Sequence, residues 1–322
     1  MLPEPPALLR CRLTMRLLED APLPVQKGAL IRGGFGYAFQ RVSCPPPCSQ
    51  RTAQCLVAAL CPYRWVFETP RPPDAMQLHD LQDVPRPFVL TPPDDPRTRY
   101  PAGSTLDFEL VLVGRTIQWL PFFLLAFERF AADGLGRDNA RARLERVEAL
   151  APWSVTGPVV FQDGRVLAAQ AALPILDGAV LQARAEALGP DVRLTLATPL
   201  RLKHGGRILD RLDLPALVQA LCWRISTLAA FHSDVPWPVD FRALVDLAQA
   251  TRVTPEPLRW EERSRVSQRG GEHTMPYGGL TGSAVLRGVA PELRALLLIG
   301  TFTHVGKACV FGNGALRLTP IR

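Results

Sequence analysis

The sequence has no long uninterrupted apolar run. Its most apolar stretch, 117–130, is broken by Gln118, Pro121, Glu128 and Arg129, so it is too short to span a bilayer and predicts a buried helix. The opening residues, Met1-Leu2-Pro3-Glu4-Pro5-Pro6, lack the basic segment and following apolar segment of a secretory signal, and a cytoplasmic location with no membrane partner is expected. Charge is sparse as well. Only 21% of residues are Asp, Glu, Lys or Arg, so the formal charge of +7 is a surface bias rather than a solvating tail. Such a bias favours an anionic partner, with nucleic acid ahead of a membrane. No GxxxxGK[ST] run occurs either, and the lysine at 307 is not followed by the Ser or Thr that would hold magnesium, which disfavours a nucleoside-triphosphate site.

What is present is enough to fold. At 322 residues and 47% hydrophobic content, the chain can build two domains with cores of their own. Seven cysteines without an export signal point to thiols or metal ligands rather than disulfides. Four of them, Cys44, Cys48, Cys55 and Cys61, cluster and are expected to bind one structural zinc; the alternative is reduced thiols in a Pro-rich loop.

Hydrophobic periodicity supplies the element order. Residues 9–17 alternate, with Leu9, Cys11, Leu13, Met15 and Leu17 apolar and Arg10, Arg12, Thr14 and Arg16 between them, which predicts a half-buried strand. A Gly-containing helix over 29–42 follows, then a strand at 63–68 and a Pro-rich insertion over 70–101 with a short strand at 88–91. A strand at 105–113, the apolar helix 117–131 and a strand at 140–150 complete a β-α-β-β-α-β order, the ferredoxin-like arrangement shared by RNA-recognition modules. The order then repeats: strand 192–203, a helix 214–231 capped by Asp213, a helical piece 240–250, a hairpin of 258–268 and 277–287, a helix 293–302 and a strand 315–319. The expected fold class is α+β, two tandem ferredoxin-like domains at 1–150 and 191–322, joined by a connecting region at 151–190. Basic residues on both sheets predict a cation-lined cleft that draws in a polyanion.

The last thirty residues hold the densest motif. An apolar helix runs into Thr303-His304-Val305-Gly306-Lys307 and then Phe311-Gly312-Asn313-Gly314, a Gly-rich turn whose backbone N–H groups beside Lys307 suit a phosphate. Gly306, Gly312, Gly314 and Lys307 are therefore RNA-binding candidates. Arg201, Lys203, Arg265, Arg269 and Arg287 lie on strands or the hairpin of the second domain, where they can track an RNA stem; the alternative for each is a solvated strand face. Of five histidines (79, 204, 232, 273 and 304), His304 beside Lys307 is the candidate for proton transfer, with a helix-capping role as its alternative.

Several of these pieces, in order, resemble the CRISPR-associated endoribonucleases of the RAMP superfamily that cut precursor crRNA. They are Thr198-Pro199-Leu200-Arg201-Leu202-Lys203, Arg224-Ile225-Ser226-Thr227-Leu228, Trp260 with Arg265-Val266-Ser267-Gln268-Arg269, Gly278-Gly279-Leu280-Thr281-Gly282 and the loop from His304 to Gly314. Leu30-Ile31-Arg32-Gly33-Gly34-Phe35-Gly36 and Cys61-Pro62-Tyr63 with Phe67-Glu68 extend the resemblance into the first half. It implies binding of CRISPR repeat RNA, and cleavage without a metal cofactor by attack of the RNA's 2′-hydroxyl on the adjacent phosphate. The products would be a 2′,3′-cyclic phosphate and a 5′-hydroxyl. Many members of the family it resembles place a catalytic histidine in the first helix or its flanking loops, whereas residues 20–50 here contain none. In its place stand Tyr37 and Arg41, which can orient the 2′-hydroxyl or neutralise the phosphate, with Lys27 and Arg32 as RNA contacts. A non-catalytic RNA-binding subunit of a CRISPR effector complex is the alternative function.

Overall fold

The structure is a computed structural model, and it describes residues 2–44, 55, 58–69, 84–168, 172–267 and 273–321. The chain forms two compact units, one from Ala7–Leu176 with Ala230–Asp234, the other from Met1–Pro6, Asp177–Ala229 and Val235–Arg322. Each carries the ferredoxin-like order expected from the sequence.

In the N-terminal unit, β1 (Leu8–Leu17) lies at the centre, because its alternate residues Leu9, Cys11, Leu13, Met15 and Leu17 are all buried. It pairs antiparallel with β3 (Thr105–Val113) on one side and β4 (Ala142–Leu150) on the other. Outside these lie β2 (Phe88–Thr91) and β5 (Val159–Gln162), each antiparallel to its neighbour. The buried face is covered by α1 (Gly28–Ser43) and α3 (Leu120–Asp133), with Pro121 in the first turn of α3, where no amide partner is lost. Phe35 of α1 organises the core: its ring stacks 4.3 Å from that of Phe127 and lies 5.4 to 5.9 Å from Phe39, Phe67, Phe88 and Phe123.

Residues 63–68, expected as a strand, are helical instead: α2 spans Pro62–Phe67. Pro62 occupies the first helical position, and Tyr63, Val66 and Phe67 fall on one buried face at three- and four-residue spacing. A short apolar run is compatible with either state, and packing against the phenylalanine core selects the helix.

The C-terminal unit repeats the plan. Its central strand β6 (Val192–Leu200) lies between β10 (Gly279–Arg287) and β11 (Leu316–Pro320), and β7 (Arg252–Glu261) pairs outside β10. A small antiparallel pair, β8 (Ser264–Ser267) and β9 (His273–Pro276), extends from the β7–β10 hairpin. Four helices complete the unit: α4 (Gly178–Leu188), α5 (Leu214–His232), α6 (Phe241–Ala250) and α7 (Pro291–Thr303). Asp177, Asp213 and Asp240 accept hydrogen bonds from the first-turn amides of α4, α5 and α6, at 2.8, 2.9 and 3.0 Å. By length and composition α5 could cross a bilayer, but Leu217, Leu221, Cys222, Ile225 and Leu228 are buried, which accounts for its apolarity as core packing.

Two adjacent glycines of α1 serve different ends. A methyl group on Gly34 would fall onto the Phe130 ring of α3, so Gly34 sets the approach of the two helices, whereas one on Gly33 would meet nothing within 4 Å. Gly34→Ala is expected to lose about 1–3 kcal/mol by overpacking. Gly33→Ala is expected to gain about 0.5–1 kcal/mol by relieving the backbone-entropy cost of a helical glycine. Urea unfolding of the two variants should move the midpoints in opposite directions.

Candidate nucleic-acid interface

The loop after α7 is held by backbone contacts with the end of β6. Lys307 N–H donates to Arg201 O and Gly314 N–H to Pro199 O, both at 3.1 Å, and Val305 N–H closes the loop on Gly314 O at 3.1 Å. Thr198 clamps it from the strand, its hydroxyl donating to Gly312 O (2.7 Å) and accepting from Ala315 N–H (2.9 Å). The buried Asn313 amide donates to Tyr277 O at 2.6 Å. Gly306 and Gly314 take φ values of +87° and +72°, and a Cβ on either would collide with the carbonyl of Arg201 or of Val305. Glycine is required here for conformation and for close approach.

The expected cradle of backbone donors is thereby altered. The N–H groups of Val305, Lys307, Phe311, Gly312, Asn313 and Gly314 all donate to protein carbonyls. Gly312 and Gly314 are buried, while Gly306 and the Lys307 side chain are exposed. The loop thus offers a cation on a rigid base.

His304 caps α7 with φ +53° and is only 2% exposed. Its Nδ1 lies 3.1 Å from Asn313 O, so that nitrogen carries the proton and donates. Burial pushes its pKa from near 6.5 down to about 4, outweighing the Asn313 hydrogen bond, and the Arg224 charge pushes the same way. Arg224 donates from Nε to Thr303 O at 3.0 Å. At neutral pH the imidazole is therefore uncharged and enclosed. Cys309 lies in the same loop, its thiol donating to Gly306 O (3.3 Å), with a pKa raised by burial.

The other candidates of this unit are dispersed. Arg201 is half-buried, reaching Gly278 O at 3.3 Å with its guanidinium 5.8 Å from the Trp260 ring. Arg287 is paired with Asp191 at 2.9 Å, Lys203 is exposed, and Arg265 lies on β8. Arg269, His79 and Cys48 lie outside the described residues.

In the N-terminal unit, Lys27 is buried rather than facing solvent. Its ammonium donates to Asp95 O (2.8 Å), Arg97 O (2.9 Å) and Val25 O (3.4 Å), pinning the start of α1, and desolvation lowers its pKa. Arg32 lies over Phe67 and Phe88, 4.7 and 5.4 Å from the ring centres. Tyr37 and Arg41 sit one turn apart on the exposed face of α1: Tyr37 is 65% exposed, and Arg41 pairs with Asp133 at 2.9 Å.

The open face of this sheet is not the cationic wall its arginines suggested. Arg10 pairs with Glu109, Arg16 and Arg143 with Glu145, and Arg146 with Glu148, while Arg12 donates to Val155 O. The zinc expectation also finds no support: among the described residues no group of three or more His, Cys, Asp or Glu is placed to hold a metal. Cys44 closes α1 and Cys61 opens α2, so their positions follow from the two helix ends. Thr198, Asn313 and Arg224 lie in segments that carried the resemblance, but nothing in their spacing marked a role in fixing the loop.

Protonating His304 must remove a buried hydrogen-bonded neutral ring and place a cation beside Arg224. Because its folded pKa lies below its unfolded one, its contribution to stability is complete above pH 6.5 and falls as pH drops toward 4, by about 3 kcal/mol in all. Urea unfolding at pH 7 and pH 5 should show about 2 kcal/mol of this loss in the wild type and a smaller one in His304→Gln.

Comparison with known proteins places these units. Residues 3–172 match a family model described as an N-terminal domain, and residues 194–316 match one described as CRISPR-associated endoribonuclease Cas6. Among solved structures, the chain is similar to a partial Cas6-RT-Cas1–Cas2 complex, with TM-score 0.62 and 14% identity, covering 99% of this chain and 47% of that one. It thus spans about half the length of that relative. A Cas6 product complex is similar at TM-score 0.55 and 20% identity over 97% and 99% of the two chains. Thermus thermophilus Cas6 is similar at 0.53 and 17%, over 97% and 98%. These likenesses are of fold, and no curated protein matches the sequence. The two family matches follow one another along the chain with the duplicated ferredoxin-like fold beneath them, and the C-terminal unit carries a domain of the CRISPR-associated endoribonuclease Cas6 family.

Proposed function

We propose that the protein binds CRISPR repeat RNA and cleaves precursor crRNA. The observation that carries this is the match of residues 194–316 to the Cas6 endoribonuclease family, over the unit that builds the clamped Gly-rich loop. The nucleophile is the RNA's own 2′-hydroxyl. It attacks the adjacent phosphorus in line, the 5′-oxygen leaves with a proton, and the products are a 2′,3′-cyclic phosphate and a 5′-hydroxyl. Such a step needs positioning, a proton path and positive charge near the phosphorane, and it generates its nucleophile without a metal.

Tyr37 and Arg41 are the groups proposed to face the reacting phosphate, being exposed and one helical turn apart on α1. Arg41, once a phosphate displaces its exposed pairing with Asp133, supplies charge, and Tyr37 supplies a hydroxyl that orients the 2′-oxygen. Tyrosine and arginine are poor proton acceptors near neutral pH, so turnover should be slow. His304 has a positioning role: its bond to Asn313 O holds the loop that presents Lys307. In the cell, other CRISPR effector subunits are the proposed protein partners, and no structural zinc is assigned.

Labelled repeat RNA incubated with the protein in EDTA should give one discrete product bearing a cyclic phosphate. Tyr37→Phe and Arg41→Ala should lower the single-turnover rate by about a hundredfold, the scale of a lost general acid or base, while binding persists. Wild-type rates in both variants would remove α1 from the chemistry. RNA retained uncut by the wild type would instead identify a non-catalytic RNA-binding subunit, a reading favoured by the enclosure of His304 and the absence of histidine from residues 20–50.

A further inference from the structure

Between β6 and α5 the chain makes a small antiparallel finger, in which Lys203 pairs with Ile208 and His204 with Arg207. Gly205 and Gly206 form its tip with φ of +54° and +81°, the two-residue turn that takes positive φ at both central positions and matches strand twist. The base is closed by Leu209 N–H on Leu202 O at 3.0 Å, with Leu202 buried. Beyond it, all five residues from Lys203 to Arg207 are exposed, and a Cβ on either glycine would meet nothing within 4 Å.

The finger's cations, like the exposed Arg184, Arg211, Arg242, Arg252, Arg259 and Arg317 of the same unit, form no ion pair with a described residue. Arg193, Arg263 and Arg287 are each matched by a carboxylate, Glu256, Glu261 and Asp191, whereas Lys203 and Arg207 have no ion pair with any described residue. Of the carboxylates nearest in sequence, the exposed Asp210 forms no ion pair with a described residue, and Asp213 is committed to capping α5. The root of the finger is also the anchor of the Gly-rich loop: Arg201 O accepts from Lys307 N–H, and Gly306 packs against the same carbonyl. Lys203, His204, Arg207 and Lys307 therefore extend from one backbone junction. From Lys203 to Arg207 there is no apolar side chain, so the finger has nothing to bury against a protein partner or a lipid.

We propose that this finger is a phosphate-backbone grip for RNA, with Lys203 and Arg207 each neutralising a phosphate, His204 donating a hydrogen bond, and Lys307 continuing the contact onto the loop. The assignment rests on the repeat-RNA function proposed above and names the element that holds the strand. A rigid Gly-Gly turn keeps the cations in place before RNA arrives, which reduces the ordering cost of binding.

The test is the salt dependence of binding, measured for the double variant Lys203→Gln with Arg207→Gln, using repeat RNA and an unrelated homopolymer RNA. Each lost phosphate contact lowers the slope of log affinity against log salt by about 0.7, so a decrease of about 1.4 is expected. The matched control removes Arg143 and Arg146 as glutamines, two cations already paired with glutamates, and should leave the slope unchanged. An unchanged slope in that variant or an equal drop in the control would each overturn the grip. If the wild type ignores repeat RNA but the slope difference appears with the homopolymer, the finger stands and the repeat-RNA function falls.

Discussion

Two main-chain carbonyls at the end of β6, those of Pro199 and Arg201, fix the part of the molecule that matters most to its function. They accept from Gly314 and Lys307, one from each arm of the terminal loop, and so tie the region after α7 to the centre of the sheet. A bond between backbones needs backbones in contact, which is why Gly306 and Gly314 have no side chains to interpose. Once the loop lies there, His304 is enclosed, Asn313 reaches Tyr277, and Lys307 projects outward. The strand that anchors the loop continues directly into the Lys203–Arg207 finger. A single junction thereby sets a buried polar network on one side and exposed cations on the other.

Charge placement follows a second rule. On the N-terminal sheet, arginines alternate along β1 and β4, but glutamates occupy neighbouring positions and neutralise them. Exposed pairs of this kind contribute at most about 1 kcal/mol each, and their larger effect is to cancel a field that would otherwise attract a polyanion. The net positive charge of the chain is accordingly a poor guide to where it acts. What distinguishes an anion-binding surface is cations lacking nearby carboxylates on a backbone already in position.

Much of the architecture was legible from periodicity. The alternation at 9–17, the strand at 105–113, the aspartate cap at 213 and the apolar helix before His304 all report local geometry, since strand and helix periods are properties of the chain itself. Residues 63–68 were misread because a six-residue apolar segment satisfies both periods until Phe35 and Phe39 provide a surface to pack against. The protonation of His304 was hidden for a similar reason. Its neighbours in sequence are Thr303, Val305, Gly306 and Lys307, and nothing there announces that the ring is buried beside Arg224, eighty residues earlier in the chain.

The amino-acid order was thus sufficient for the duplicated ferredoxin-like plan and for the position of its Gly-rich loop, because hydrophobic pattern, caps and turn residues act over a few residues. It was insufficient for the state of each ionisable group. Whether Lys27 meets solvent or three carbonyls, whether His304 is charged, and whether an arginine is free to meet a phosphate depend on desolvation and on partners brought from distant segments. Those are long-range quantities, and they acquire values when the chain has folded.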